Sequence, residues 1–311
     1  MNTILIQDRQ KASFIGLATG DALGAPVEFS FRDRFPELRE MISGGKFQLP
    51  AGAWTDDTSM ALCLADSLLA YPELDPKDLL TRFWNWASTG ENSATGKAIG
   101  FGQNVLQSLF DFHRTGVLKA GEKHRRSDGN GSIMRLAPMM ILYAQNKKKG
   151  AQLAREQSYT THASNIAADG CECLFRIVYD LFHGKKLDEA LAAAHQSTWH
   201  TDIKSITSGT WKQKSRDEIR STGYVAATLE AAVWCAGTTE SFEEALIKAV
   251  NLAHDSDTVA AVTGQITGAM YGYSAIPDRW LTVLAKREHI ERKAQQLIAA
   301  SKRIQRQEFM N

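Results

Sequence analysis

Alternation of apolar and polar residues with period two is almost absent from this 311-residue sequence. A half-buried strand needs that alternation, so its lack excludes a sandwich or barrel; Thr3 to Gln7 is the one short strand candidate. No run of about 18 uninterrupted apolar residues is present, and no membrane span is expected. The first residues lack the long apolar region and small-residue cleavage site of a secretory signal, and Asp8 and Arg9 follow closely. The expected compartment is the cytoplasm. Cysteine is scarce: Cys63, Cys171, Cys173 and Cys235 form no C-x-x-C pair and no zinc pattern with a nearby histidine. They are expected to be buried free thiols in a reducing environment. Neither sign of charge dominates, with 36 Lys+Arg against 35 Asp+Glu. That balance, with 43% apolar residues, excludes charge-driven disorder and the broad basic footprint of a nucleic-acid coat. Neither a membrane nor a nucleic-acid partner is expected. No linker composition and no internal repeat interrupts the chain, so one domain over residues 1–311 is expected, acting as a monomer.

What is present reads at helical period. Met60, Cys63, Leu64 and Leu68 share one helix face, as do Val225, Leu229, Ala232, Val233 and Ala236. Ala245, Leu246, Ala249 and Val250 repeat the pattern. Val259 to Met270 carries Gly264 and Gly268 one turn apart. Two glycines cost a helix roughly 2 kcal/mol of propensity, which close packing against another helix must offset. Pro138 is placed to open a helix. Ser197 to Ser221 reads as a loop, and Lys286 to Arg306 as an amphipathic docking helix with Ile290, Leu297 and Ile298 inward. The fold class is all-α.

Two acidic clusters precede buried helices: Trp54-Thr55-Asp56-Asp57-Thr58-Ser59 and His254-Asp255-Ser256-Asp257-Thr258. Either one alone is an ordinary helix start, because Ser, Thr and Asp cap helices and acids suit the positive end of the dipole. The pair shares one grammar. If the two helix starts meet, four carboxylates converge. Like charges about 4 Å apart repel by roughly 4 kcal/mol at an effective dielectric of 20, so the group would need cations. Oxygen-only donors suit Mg²⁺ or Mn²⁺ rather than zinc, and their number allows two ions.

Near the start lies Gly16-Leu17-Ala18-Thr19-Gly20-Asp21-Ala22-Leu23-Gly24-Ala25-Pro26-Val27-Glu28-Phe29. Its glycines and proline allow a helix to end and the chain to turn. Glu28, between Val27 and Phe29, reads from this segment as an exposed loop residue; with apolar neighbours it has an alternative as a proton-transfer group. Ser127-Asp128-Gly129-Asn130-Gly131-Ser132 and Gly100-Phe101-Gly102 are glycine-rich turns ahead of apolar segments. Each reads as an ordinary helix N-terminus or as an anion-binding turn.

Together, G-D-A-L-G-A-P-V-E-F, W-T-D-D-T-S-M-A-L, G-N-G-S-I-M-R-L-A-P, T-H-A-S and H-D-S-D-T-V-A-A-V-T-G-Q-I-T-G-A resemble the ADP-ribosylglycohydrolase family, from about Lys11 to Leu284. The resemblance implies an all-α, compact orthogonal multi-helix bundle of the ADP-ribosylglycohydrolase type with two Mg²⁺ or Mn²⁺ ions. It implies metal ligands at Thr55, Asp56, Asp57, Asp255, Asp257 and Thr258, with Asp257 as the bridge, and Glu28 as the catalytic residue beside the metals, taking part in proton transfer or gating the site. Gly100, Gly102, Ser127, Gly129, Asn130, Gly131 and Ser132 fall where the family holds ADP-ribose. His162 falls near the nucleotide, its alternative being a histidine satisfied within the bundle. The implied activity is removal of ADP-ribose from a modified arginine or serine of a protein. A hydrolase of free ADP-ribose derivatives or of modified nucleic acid is the rival reading, together with a non-catalytic ADP-ribose binder. Ala253-His254 stand where the family has Gly followed by Gly or Asp, and the acid that some relatives carry near Gly100 is absent.

Overall fold

The structure, a computed structural model, describes residues 3–120 and 128–310. Among these the regular structure is helical: α1 (Thr3–Gly24), α2 (Asp56–Ala70), α3 (Pro76–Thr89), α4 (Gln103–Thr115), α5 (Ala137–Leu142), α6 (Lys147–Ser158), α7 (Asn165–Phe182), α8 (Leu187–Ala194), α9 (Thr201–Thr207), α10 (Val225–Gly237), α11 (Phe242–Val250), α12 (Ser256–Tyr271), α13 (Asp278–Val283) and α14 (Arg287–Met310). No strand occurs among the described residues, only isolated bridges such as Gly129 with Tyr224.

Two helices sit at the centre. α12 is buried from Ser256 through Ala269, and α1 over most of its C-terminal half. A helix buried all round presents small or apolar residues on every side, and these two do. They lie antiparallel and very close. A Cβ on Gly20 would stand 2.1 Å from the Ala260 carbonyl oxygen, and one on Gly264 would stand 2.0 Å from that of Gly16. The glycines of α1 therefore serve helix contact, where the sequence suggested a turn; the helix ends only at Gly24. Hydroxyls pin both ends of the contact: Ser13 Oγ donates to the Gln265 carbonyl at 2.9 Å, and Ser256 Oγ to that of Gly24 at 3.0 Å.

The other helices wrap this pair. α14 lays Ile290, Ala294 and Leu297 onto the core and leaves its basic residues outward. Two local expectations are corrected. Thr3 to Gln7 is the first part of α1, because three β-prone residues without a partner strand lack any ladder to join, and Leu5 and Gln7 favour a helix. The segment Ser197 to Ser221 contains α9, whose Ile203 and Ile206, three residues apart, are buried. The four cysteines are free and buried.

Candidate active site

The antiparallel contact brings the N-terminus of α12 to the C-terminus of α1. A Cβ on Gly24 would lie 2.6 Å from Asp257 Cα. Asp21, one turn earlier on α1, reaches the start of α2. Its Oδ1 accepts from the Thr55 N–H and hydroxyl, each at 2.8 Å. Its Oδ2 accepts from the Thr58 N–H at 3.0 Å and hydroxyl at 2.6 Å. One carboxylate from another helix thus caps α2, and two helix N-termini meet.

The consequence is a buried acidic cluster. Carboxylate oxygens of Asp21, Asp57 and Asp257 lie within 4.8 Å of one another, and so do those of Glu28, Asp255 and Asp257. Asp257 belongs to both groups. Thr55 Oγ1 stands 3.4 Å from Asp257 Oδ2, and Thr258 Oγ1 stands 3.4 Å from Asp57 Oδ2. Asp56 faces the adjoining cleft. The four acids of the two sequence clusters therefore converge with Asp21 and Glu28 from the end of α1 and the loop after it.

Glu28 is buried rather than exposed. The reason is a pair of backbone bonds: Phe29 N–H donates to the His254 carbonyl at 2.6 Å, and His254 N–H to that of Ser30 at 3.0 Å. They draw the loop after α1 against the loop before α12. Phe29, Ala253 and His254 all hold positive φ, at 64°, 60° and 58°, a conformation that costs a non-glycine residue about 1 kcal/mol or more. His254 itself is exposed, with its ring against Phe31.

Sequence reasoning passed over Asp21. Its signal was an aspartate inside the small and apolar stretch from Gly16 to Leu23, where a buried acid requires partners.

Among the described residues no basic side chain forms an ion pair with the cluster. Burial, with mutual repulsion for most members, raises the pKa of Asp21, Asp56, Asp57, Asp255 and Asp257. Burial first, then the charges of Asp257, Asp56, Asp255 and Asp21, pushes Glu28 up to about 11. Glu28 Oε2 and Asp57 Oδ1 are buried without a hydrogen-bond partner among the described residues. Hard oxygens, excess negative charge and two orphaned acceptors fit divalent cations.

An expected outcome follows for metal removal. These carboxyls bind more protons folded than unfolded, so in chelator their contribution to stability is fully present only below the unfolded carboxyl range, about pH 4. It falls as pH rises towards the folded pKa values. A divalent cation that binds only the folded protein raises the melting temperature and offsets the fall. Melting curves from pH 5 to 9, with and without cation, test this; identical curves would remove the metal assignment.

The cluster floors one end of a cleft of about 630 Å³. Gly100, Gly102, Gly129, Asn130, Gly131 and His162 line it. Gly100 has φ +86°, and a Cβ there would overlap Asp56 Oδ1 at 2.1 Å, so only glycine fits. Gly102 caps α4. The Gly129–Gly131 turn is clamped to the start of α10: Asn130 N–H donates to the Gly223 carbonyl at 3.0 Å, and Val225 N–H to that of Asp128 at 2.9 Å. Asn130 Nδ2 donates to Asp255 Oδ2 at 2.5 Å and to Thr228 Oγ1 at 2.9 Å, which links the turn to the acids.

Ser132 departs from the expectation. It is fully buried, and its hydroxyl accepts from Ser158 at 2.8 Å, so its side chain supports the turn from behind. Ser127 lies outside the described residues. Phe29, Phe101 and Tyr224 also line the cleft, and their ring types alone gave no signal in the sequence.

An all-α frame places a buried oxygen-donor cluster that could hold cations at the floor of a glycine-walled cleft. A family model described as ADP-ribosylglycohydrolase matches residues 2–307, and the chain belongs to that family. An ADP-ribosylarginine hydrolase, Tri1, of Pseudomonas putida (strain GB-1) is 40% identical over 290 residues, covering 93% of this chain and 78% of that protein. The ADP-ribosyl-[dinitrogen reductase] glycohydrolase of Rhodospirillum rubrum is 29% identical, covering 90% and 91%. A solved structure titled ADP-ribosylglycohydrolase-related protein complex superposes with a TM-score of 0.85 at 38% identity, covering 95% of this chain and 99% of that one.

Proposed function

We propose that this chain is a hydrolase that removes ADP-ribose from modified arginine side chains of proteins, using two Mg²⁺ or Mn²⁺ ions. The observation that carries the reading is the double carboxylate group sharing Asp257 at the floor of the cleft. The relative named as an ADP-ribosylarginine hydrolase supports arginine over serine as the acceptor. The proposal takes residues 1–311 as one domain acting as a monomer in the cytoplasm; every carboxylate of the cluster comes from the same chain. No described helix is long and apolar enough to cross a membrane.

The bond broken joins the ribose anomeric carbon to a guanidinium nitrogen; water supplies the hydroxyl of the released ADP-ribose and the proton of the free arginine. Such cleavage passes through an oxocarbenium-like transition state. Thr55, Asp57 and Asp257, with Asp21, would hold one cation, and Asp255, Asp257 and Thr258 the other, with Asp56 and Glu28 at the edge. Cations bound there would supply Lewis acidity. The chain does the rest. The backbone turns at Gly100–Gly102 and Gly129–Gly131 bind the diphosphate, so binding energy remote from the reacting carbon orients it. Phe101 and Tyr224 offer aromatic faces for the base. Glu28, on the cleft lip of the cluster, moves the proton between water and the leaving nitrogen.

Glu28→Gln is expected to keep ADP-ribose affinity within about threefold while turnover falls about 10²- to 10⁴-fold, the range for loss of a general acid–base group. Isothermal titration alongside single-turnover release separates the two, and unchanged turnover would reduce Glu28 to a loop residue. The function itself is tested by release of ADP-ribose from matched peptides modified on arginine and on serine, with and without chelator. Chelator-sensitive release from the arginine peptide is expected. Release from serine alone, or from neither, would overturn the reading.

A further inference from the structure

Arg135 is fully buried, and among the described residues no carboxylate pairs with it. A buried charge without a counter-charge is expensive, and burial pushes this guanidinium down to about 9. Its donors are instead spent on neutral acceptors. Nε donates to Gln157 Oε1 at 2.9 Å, and Nη2 donates to the Gln157 carbonyl at 3.1 Å, to Thr160 Oγ1 at 3.3 Å and to Thr161 Oγ1 at 3.0 Å. The guanidinium lies 4.6 Å from the Phe83 ring centroid.

The Thr161 contact has a consequence for protons. Arginine can only donate, so Thr161 Oγ1 accepts there. Among the described residues the hydroxyl's own proton has one acceptor in reach, His162 Nδ1 at 2.9 Å. Satisfying that buried donor assigns Nδ1 the lone pair and puts the imidazole proton on Nε2. Nε2 faces the Gly129–Gly131 turn; a Cβ on Gly129 would lie 3.2 Å from it and one on Gly131 3.3 Å. The ring edge opens on the cleft, with no acceptor for Nε2–H among the described residues. Burial and then the Arg135 charge hold the ring neutral, with its pKa pushed down to about 3.

We propose that Arg135 and Thr161 are positioning residues that lock His162 in the Nε2–H form, aimed at a diphosphate oxygen of ADP-ribose. The assignment rests on the ADP-ribosyl ligand proposed above. The chemistry favours the diphosphate over the ribose: a fixed N–H donor, the amides of a glycine turn and a cation behind them together suit an anion.

The test uses Thr161→Val, which removes the hydroxyl at nearly constant volume, with Thr161→Ser as the conservative rescue. Nitrogen-15 spectra of histidine-labelled, ligand-free protein are expected to show His162 protonated on Nε2 in the wild type and in Thr161→Ser. In Thr161→Val the single tautomer is expected to be lost. Affinity for ADP-ribose and for ADP, by titration, is expected to fall about tenfold in Thr161→Val, the usual size for losing an ordered charge-facing hydrogen bond. A merely structural threonine would lower the melting temperature and leave the tautomer unchanged. Nδ1 protonation in the wild type would overturn the relay, as would a Thr161→Val protein with unchanged tautomer and affinity. Loss of ADP-ribose affinity with ADP unaffected would overturn the diphosphate assignment. Arg135→Lys is the harsher variant; if it does not fold, the Thr161 pair still decides. The tautomer is read without substrate, so failure of the hydrolase reading and failure of the relay give different results.

Discussion

Asp257→Asn is expected to lower turnover on ADP-ribosylarginine peptide by about 10³-fold or more, the scale on which loss of metal-assisted charge stabilisation is felt. Asp257 is the one carboxylate common to both three-acid groups. Removing any other acid leaves one group intact; removing this one leaves two pairs. Asparagine keeps the size and one carbonyl oxygen, so the loss is of charge rather than packing. The stability effect should run the other way. Without cation, burial and the charges of Asp255 and Asp21 raise the pKa of Asp257, meaning that its ionised form is disfavoured in the fold. The metal-free variant is therefore expected to melt at or above the metal-free wild type, while the rise in melting temperature on adding Mn²⁺ largely disappears. Calorimetric titration with Mn²⁺, paired melting curves and a turnover assay read all three quantities. Wild-type turnover with intact Mn²⁺ affinity would remove Asp257 as the shared ligand.

Much of the helical fold was legible in local sequence, because apolar spacing of three and four residues is a local property. The faces of α2, α10 and α11 are examples. The two Asp–Thr clusters were legible as helix starts, but their meeting was not. That depends on how closely α1 and α12 approach, which is a property of two segments more than 200 residues apart. Gly16, Gly20 and Gly24 carry a four-residue spacing that answers Gly264 and Gly268, yet read alone they suggest a turn. Asp21 was missed for the same reason: within a presumed turn an aspartate is ordinary, whereas inside a buried helix it must have partners. From its own segment alone Glu28 reads as exposed, because its burial comes from two backbone bonds to the loop before α12, which that segment does not encode. His162 was visible as a histidine, but its proton position depends on Arg135, 27 positions away in sequence.

Gly20→Ala is expected to destabilise the protein by about 3 kcal/mol, the upper part of the usual range for overpacking a tight contact, and to lower the melting temperature by roughly 5–10 °C. The new Cβ would lie 2.1 Å from the Ala260 carbonyl oxygen and 2.3 Å from its carbon. Both are backbone atoms of a buried helix, so no rotamer change relieves the overlap; one helix must move. Ala260 lies one turn beyond Asp257, and Asp21 adjoins Gly20. The displacement thus separates Asp257 from Asp21 and from the start of α2 that Asp21 caps. Affinity for Mn²⁺ should fall along with stability in the fraction that still folds, although no ligand has been changed. Gly102→Ala provides the comparison, because a Cβ there meets nothing within 4 Å and its φ is −69°. Its stability loss should stay below about 1 kcal/mol, the scale of a changed helix cap. Thermal melts of both variants in chelator, followed by Mn²⁺ titration, check the pair. If Gly20→Ala melts like the wild type, the close approach of α1 and α12 is not what sets the geometry of the acids.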